Sequence, residues 1–265
     1  MDASAIAAAV SALVENRLNP GPFAGFPEAD RPQNLNQAYD LQDALNIALT
    51  ETGLGPRIGH KVGCTSKVMQ EYMNINHPCS GGIFQTTLHQ GSLVQPAARY
   101  HRVGVECEVG VWLSGDMPPA GAPYTREAVK GHIKSCMPAI EIVDDRYEDF
   151  RSLDLEILVA DDFCQAACIL GAENTDWHNL DLTEIMGRAL VNDIEVGRGK
   201  GADILGHPFE ALVWLANHKA ARNQLLYSGE VVLLGSVVKT QWLSPGDTAL
   251  IEVDGLGTVS AQFPN

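Results

Sequence analysis

Two glutamates interrupt an otherwise apolar stretch, RVGVECEVGVW, at residues 102–112. The apolar alternation predicts a β-strand, in which Glu106 and Glu108 point to the same face. Two like charges on one face of a sheet repel each other, and an unpaired buried carboxylate costs several kcal/mol. We therefore expect a Lys or Arg, a metal ion, or bulk water beside these two side chains.

A third glutamate of this kind, Glu141, lies between two isoleucines in MPAIEIVDD at residues 137–145. Three carboxylates, with water or substrate completing the coordination, suit a hard cation such as Mg²⁺ or Mn²⁺ better than zinc or copper. The alternative is that Glu106 and Glu108 lie on the solvated face of an edge strand, because exposed glutamates greatly outnumber metal ligands. The residues alone leave both interpretations open.

Lys61 is the second candidate for chemistry. It lies in GHKVGCTS at residues 59–66, next to glycines that let a ligand approach the backbone closely. If Lys61 is shielded from water, its pKa falls and the amine becomes a usable acid or base near neutral pH. The alternative is an ordinary surface lysine at a strand end. We assign Cys64, in the same segment, to the core, because small buried thiols are common.

Composition limits the class of partner. The 265 residues include 18 Lys and Arg against 33 Asp and Glu, a net charge of −15 at pH 7, which argues against a nucleic-acid partner. No apolar run approaches the roughly 18 to 20 residues that span a bilayer, so we expect no membrane partner. The six cysteines show no CxxC spacing. Reduced thiols and a cytoplasmic location are therefore expected.

Helical periodicity dominates the N-terminal part of the chain. It predicts helices over residues 2–18 and 36–52, with Asn36 as the N-cap of the second. A further helix is predicted over residues 207–223, where apolar side chains form one stripe. We expect these helices to help position the candidate residues on the strands between them.

Short β-like runs separated by Gly, Pro and Asp follow from about residue 58. They include DLEILVAD at residues 154–161 and a hairpin that turns at Asp254-Gly255. The pattern predicts an α+β fold with a helical N-terminal region over residues 1–57 and a β-rich body over residues 58–265. We expect the two regions to form one structural unit.

Six segments together resemble the fumarylacetoacetate hydrolase superfamily. In family order they are GHKVGCTS, VECEVGV, MPAIEIVDDRY, LVADDF, GRGKGADILGHPFEALVWLAN and SGEVVLLGSVV. The resemblance covers nearly the whole chain and is closest to the branch of 2-keto-4-pentenoate hydratases and 2-oxo-3-hexenedioate decarboxylases. It implies that the body contains the mixed sheets of that family.

The resemblance also implies roles for the charged residues singled out above. Glu106, Glu108 and Glu141 match the family's glutamate ligands for Mg²⁺ or Mn²⁺, so the implied cation supplies the missing positive charge. Lys61 matches the active-site lysine of a K-x-G motif, expected to bind substrate and to move a proton or orient water.

Other positions match a substrate loop or depart from the family pattern. Gly235 and Ser236 match a T-G-(S/A) loop near the substrate. Cys79 stands where hydratases usually carry an Asp that takes part in proton transfer, and the decarboxylase branch also lacks that Asp. Asp162 stands where an Asn is usual, and we expect it to share proton transfer with Lys61.

The activity implied by the resemblance is that of a lyase. It adds water to a 2-hydroxydienoate or 2-oxo-enoate, a small anionic 2-oxo acid formed in the catabolism of aromatic or related compounds. Decarboxylation of a vinylogous 2-keto acid is the main alternative, followed by hydrolysis of an acylpyruvate and by a non-catalytic partner subunit that keeps the fold. The resemblance further implies a homo-oligomer, or an assembly with a related partner subunit.

Overall fold

The chain folds into two β-sheets with helices packed around them. The structure, a computed structural model, describes residues 1–150 and 153–265. Within these residues the α-helices are α1 (Ala3–Leu18), α2 (Leu35–Leu49), α3 (Lys67–Tyr72), α4 (Arg126–Lys130), α5 (Leu155–Ala160) and α6 (Phe209–Ala221). No helix in this part of the chain combines the length and the apolar character needed to cross a membrane.

All the strands lie after residue 56. They are β1 (Arg57–Gly63), β2 (Cys79–Phe84), β3 (Leu88–Gln90), β4 (Ser92–Val94), β5 (Val103–Leu113), β6 (Ile133–Asp144), β7 (Gln165–Leu170), β8 (Met186–Val191), β9 (Ile194–Lys200), β10 (Val231–Ser236), β11 (Gln241–Trp242), β12 (Thr248–Val253) and β13 (Gly257–Gln262).

Both sheets are mixed. The larger has the order β2-β1-β10-β5-β6-β7-β3, with β11 also pairing with β5, and the smaller has the order β4-β13-β12-β8-β9. The pairs β1–β10, β3–β7 and β4–β13 are parallel, and the remaining neighbours are antiparallel. The prediction of an α+β fold with mixed sheets is confirmed.

All three predicted helices begin within two residues of their predicted positions, and one capping residue differs. Helix α2 begins at Leu35, and its N-cap is Asn34, whose side chain accepts a hydrogen bond from the backbone N–H of Gln37. The prediction of Asn36 as the N-cap is therefore wrong, because Asn36 already lies in the first turn. The hairpin at Asp254-Gly255 is confirmed, with β12 and β13 on its two sides.

The segment DLEILVAD forms helix α5 and not a strand, so that prediction is wrong. Ile157, Leu158, Val159 and Ala160 are all buried. A short run that is apolar on every side has no polar positions to reveal its period, and helix and strand then give the same sequence pattern.

Two apolar cores hold the fold together. The larger lies between the sheets, where residues of β5 and β6 pack with residues of β12 and β13. The second joins the N-terminal helices to the body: Ala9, Leu13 and Leu45 share a cluster with Leu158 and Phe163. The N-terminal region is therefore packed directly against the segment that follows α5.

Truncation of Leu45 tests whether the two regions form one structural unit. This side chain is fully buried in the second core, so Leu45→Ala should lower the free energy of unfolding by about 2 to 5 kcal/mol. Urea unfolding followed by circular dichroism and by tryptophan fluorescence should show one shared transition. The control is Ile47→Ala on the same helix, where the side chain is 64% exposed. Two separate transitions would contradict a single unit.

Candidate active site

Three carboxylates converge at the centre of the larger sheet. Glu106 and Glu108 leave one face of β5, and Glu141 lies directly opposite Glu106 on β6. One carboxylate oxygen from each residue lies within 4.8 Å of the others. Glu108 and Glu141 are each 1% exposed, and Glu106 is half-buried. The solvated-edge alternative does not hold, because β5 lies between β10 and β6.

Each carboxylate also contacts a hydrogen-bond donor or a cation outside the group of three. The Thr240 hydroxyl donates a short hydrogen bond to Glu106, and the Gly235 N–H donates to Glu108 Oε2 over 2.7 Å. Lys61 Nζ lies 3.0 Å from Glu141 Oε1, which makes a buried ion pair. Among the described residues, one ammonium thus faces three carboxylates and leaves their charge unbalanced.

This imbalance shifts the protonation of the buried glutamates. Burial raises the pKa of Glu108 well above its ordinary value, and the neighbouring Glu141 and Glu106 raise it further. Burial also raises the pKa of Glu141, to about 7, although Lys61 opposes the shift. Without a cation, these two carboxyls hold protons at pH values where a solvent-exposed glutamate is ionised.

The donor set fits a hard divalent cation. Apart from a proton shared between the two carboxyls, Glu108 Oε1 and Glu141 Oε2 have no hydrogen-bond donor among the described residues. Buried oxygens without donors cost free energy, and carboxylate oxygens are the ligands that Mg²⁺ and Mn²⁺ prefer. The three residues therefore have the chemistry and the spacing to hold such an ion.

Lys61 is buried and tightly held, so the surface-lysine alternative does not hold either. It lies in β1, is 3% exposed, and donates to the carbonyl oxygen of Phe163 over 3.2 Å as well as pairing with Glu141. Its Nζ also lies 5.3 Å from the centre of the Phe163 ring. One carbonyl oxygen, one carboxylate and one aromatic face thus fix the ammonium in a single position.

The expectation of a lowered pKa for Lys61 is wrong for the protein without a cation. Burial does lower the pKa, but Glu141, Glu106 and Glu108 outweigh it and raise the pKa above its ordinary value. The sequence reasoning considered burial alone, because the strand that carries Lys61 gives no sign of which charges lie across the sheet.

Asp162 does not open onto the candidate site. Its carboxylate is fully buried and accepts hydrogen bonds from Asn46 Nδ2, from the Gly82 N–H at 2.8 Å and from Arg17 Nη2 at 3.1 Å. Both carboxylate oxygens of Asp162 therefore already accept hydrogen bonds from these donors. This geometry argues against the proton-transfer role expected for Asp162.

The turn after α5 links the N-terminal helix to Lys61. Three successive residues, Asp162, Phe163 and Cys164, have φ values of 50°, 53° and 63°, a left-handed conformation that is uncommon outside glycine. Arg17 of α1 holds this turn by donating to Asp161 Oδ1 over 2.8 Å and to Asp162. The same turn presents the Phe163 carbonyl to Lys61.

Gly235 and Ser236 lie at the end of β10, beside the carboxylates. Gly235 has a φ of +113°, and a Cβ there would lie 2.1 Å from Thr65 Oγ1, so only glycine fits. Its N–H is the donor that holds Glu108. The Ser236 hydroxyl donates to the Val238 carbonyl over 2.6 Å, and Ser236 lines the cavity.

A cavity of about 800 Å³ opens above this group. Its wall includes Lys61, Glu106, Phe163 and Ser236, and Glu108 and Glu141 lie buried beneath it. The cavity is thus large enough for a small organic acid, and it places such a molecule against the carboxylates and the lysine.

Three polar residues of the wall were missed by the sequence reasoning. Lys67 is the first residue of α3, Lys239 follows β10, and Thr240 donates to Glu106. Lys67 and Lys239 are exposed, and each resembles an ordinary surface lysine in sequence. The only available signal was their proximity in the chain to GHKVGCTS and to Gly235-Ser236.

The sequence matches the fumarylacetoacetate (FAA) hydrolase C-terminal family over residues 80–263. The chain belongs to this family. Among its relatives, a 2-hydroxyhexa-2,4-dienoate hydratase of Comamonas testosteroni is 32% identical over 237 residues, which cover 84% of this chain and 86% of that protein. A 2-keto-4-pentenoate hydratase of Paraburkholderia xenovorans (strain LB400) is 30% identical over 91% of this chain and 88% of the relative.

A solved structure matches nearly the whole fold. The 4-oxalocrotonate decarboxylase of Pseudomonas putida G7, complexed with magnesium and adipate, superimposes with a TM-score of 0.91 at 25% sequence identity. The match covers 99% of this chain and 98% of the decarboxylase. This FAA hydrolase family member is therefore similar to hydratases in sequence and to a decarboxylase in fold.

Adding Mg²⁺ should raise the melting temperature of the metal-free protein more at about pH 8 than at about pH 5.5. The pKa of Glu141 is raised from 4.5 to about 7 in the folded state, so a bound proton stabilises the fold at low pH. That stabilisation is lost as the pH rises through about 7, where a cation takes the place of the proton. Scanning calorimetry with and without Mg²⁺ measures the effect.

Two variants sharpen this test. Glu108→Gln removes one proposed ligand and should strongly reduce the response to Mg²⁺. Glu127→Gln is the matched control, since the Glu127 side chain is 88% exposed on α4 and should not alter the response. An equal Mg²⁺ effect at both pH values, or an unchanged effect in Glu108→Gln, would contradict the assignment.

Proposed function

We propose that this protein is a metal-dependent lyase that adds water to a 2-hydroxydienoate or 2-oxo-enoate. The observation that carries the proposal is the convergence of Glu106, Glu108 and Glu141 with Lys61 beneath one cavity. The hydratase relatives align over most of the chain and support this reaction over others of the family.

Glu106, Glu108 and Glu141 are proposed to hold Mg²⁺ or Mn²⁺. When bound, the cation would supply a Lewis acid that stabilises the negative charge developing on the substrate. The unpartnered oxygens of Glu108 and Glu141 support this assignment, as does the magnesium complex of the similar decarboxylase.

Lys61 is proposed to position the attacking water and to move the proton at its Nζ. Its contacts with Glu141 and the Phe163 carbonyl fix Nζ at the base of the cavity, where a fixed donor costs little reorganisation during the reaction. Gly235 holds Glu108 through its N–H, and Ser236 lines the adjoining wall. Both are proposed to lie against the bound substrate.

Asp162 is proposed to act through other residues and not on the substrate. It binds Arg17, Asn46 and Gly82, and so holds the turn whose Phe163 carbonyl accepts from Lys61. We therefore assign Asp162 a positioning role in place of the expected proton transfer.

Decarboxylation of a vinylogous 2-keto acid is the second candidate reaction. The near-complete structural match to 4-oxalocrotonate decarboxylase favours it, and so does Cys79 at the position where hydratases usually carry an Asp. It would use the same carboxylates and needs no bound water. Hydrolysis of an acylpyruvate has less support, because none of the described residues that line the cavity is a histidine.

The assembly and the location of the protein are also proposals. We propose a homo-oligomer, or an assembly with a related partner subunit, which light scattering coupled to gel filtration would measure. Six free cysteines support a reducing cytoplasm.

A panel of 2-hydroxydienoates and 2-oxo-enedioates distinguishes the two reactions. With Mg²⁺ present, a hydratase should remove the ultraviolet absorbance of a dienoate without releasing carbon dioxide. Stoichiometric carbon dioxide release from an enedioate would establish the decarboxylase instead. The metal-free protein should be inactive on every member of the panel, and undiminished turnover after chelation would contradict the proposed function.

Replacement of Lys61 by methionine tests its role while keeping its bulk. If Lys61 positions water or moves the proton, Lys61→Met should lower turnover by roughly 10² to 10⁴-fold, while the rise in melting temperature on adding Mg²⁺ persists. Lys134→Met is the matched control, since the Lys134 side chain is 56% exposed. Near-normal turnover in Lys61→Met would remove Lys61 from the mechanism.

Asp162→Asn provides the contrasting case. If Asp162 only positions the turn, this variant should lower the melting temperature and the turnover together, without moving the pH profile of kcat/KM. A shifted profile at normal stability would restore Asp162 to proton transfer.

A further inference from the structure

Two thiols from neighbouring strands meet at the wall of the candidate active-site cavity. Cys64 follows the last residue of β1, Cys79 is the first residue of β2, and Gly63 pairs directly with Cys79 across the two strands. A hydrogen bond joins the two thiols. Their side chains therefore lie within reach of each other, and both cysteines are free.

The two cysteines differ in access to the cavity. Of the six cysteines, all of which the structure describes, only Cys64 lines the cavity. It is 6% exposed and has a φ of 55°, which turns the chain at the end of β1. Cys79 is fully buried behind it. A small oxidant can therefore reach Cys64 through the cavity, whereas Cys79 is shielded from solvent.

The thiols also differ in reactivity. The hydrogen bond from Cys79 lowers the pKa of Cys64, burial opposes this, and the charge of Lys61 lowers the pKa further. Burial instead raises the pKa of every cysteine outside this pair, namely Cys107, Cys136, Cys164 and Cys168. Since the thiolate is the form that oxidants attack, Cys64 is the cysteine that should react first.

We infer that Cys64 and Cys79 form a reversible redox-modification site. An oxidant of the hydroperoxide class converts the two thiols to a disulfide, which lowers turnover at the active-site cavity. The Cys64 thiolate attacks hydrogen peroxide, takes up one oxygen as a sulfenic acid and, with one proton, releases water. The Cys79 sulfur then displaces the hydroxyl of that sulfenic acid, which leaves with the Cys79 proton as a second water. Two electrons pass from the thiol pair to the peroxide.

The backbone is already suited to this bond. Residues that lie opposite each other in an antiparallel ladder have Cα atoms about 4.5 to 5.5 Å apart, and disulfides span about 4.4 to 6.8 Å. Cys64 is one residue beyond the Gly63–Cys79 pair, and its φ of 55° breaks the regular alternation of the strand there, so its side chain can meet that of Cys79.

The bridge would act on the wall of the cavity. It would close residues 64–79 into a ring that contains α3, and Lys67 and Gln70 of this ring line the cavity. It would also replace the Cys64 thiol beside Lys61. The loss of freedom in this wall is the physical reason to expect lower turnover in the oxidised protein.

Peptide mapping of the wild-type protein tests the proposal directly. The Mg²⁺-loaded protein is treated with hydrogen peroxide, its remaining thiols are alkylated, and it is digested with trypsin. Cleavage after Lys61, Lys67 and Arg99 places Cys64 in residues 62–67 and Cys79 in residues 68–99. We expect these two peptides to be joined, two hydrogens lighter than their sum, and to separate on treatment with dithiothreitol.

Two variants and a turnover measurement complete the test. Turnover of the oxidised wild type should be lost in proportion to the joined peptide and recovered with dithiothreitol. Cys79→Ala leaves Cys64 without a partner, so Cys64 should gain two oxygens as a sulfinic acid that dithiothreitol does not reverse. Cys136→Ala, which alters a buried cysteine outside the cavity wall, should behave as the wild type.

Three outcomes would overturn the proposal. Both peptides could remain alkylated after oxidation, Cys64 of the wild type could take up oxygen without joining Cys79, or the fully bridged protein could keep its turnover. Because the joined peptide is read by mass, failure of this inference is distinguishable from failure of the proposed lyase activity.

Discussion

The crowding of three carboxylates around one buried point is the constraint on which the rest of the site depends. Among the described residues, Glu106, Glu108 and Glu141 face one ammonium, that of Lys61, and the low polarity of their surroundings strengthens every charge interaction among them. In the absence of a cation the site holds protons in its place. Protonation and cation binding are therefore alternative ways of meeting one electrostatic demand.

The fold meets this demand with elements from distant parts of the chain. The pairing of β5 with β6 sets the glutamates side by side, and β1 brings Lys61 against them through its neighbour β10. The N-terminal region takes part as well, because Arg17 holds the turn whose Phe163 carbonyl fixes Lys61. Helix α1 is thus linked to the candidate active site by two sets of hydrogen bonds, from Arg17 to the turn and from Lys61 to the Phe163 carbonyl.

The sequence predicts those features that a local pattern can reveal. Alternation identified the strands of Glu106 and Glu141, and the hairpin turn identified β12 and β13, because strand period and turn chemistry are local. The role of Asp162 was not accessible, since its donors on Asn46 and Gly82 come from other elements. The pKa of Lys61 was misjudged for the same reason: its sign depends on charges that only the sheet register brings near.

Diffraction at the manganese absorption edge, from crystals of the protein grown with Mn²⁺, tests the central claim most directly. The account predicts one anomalous peak per chain, with an oxygen of Glu106, Glu108 and Glu141 each within about 2.0 to 2.6 Å of it. Lys61 should remain beside Glu141 in that structure. A peak at another position, or none at an Mn²⁺ concentration that supports turnover, would contradict the claim that these carboxylates exist to hold a divalent cation.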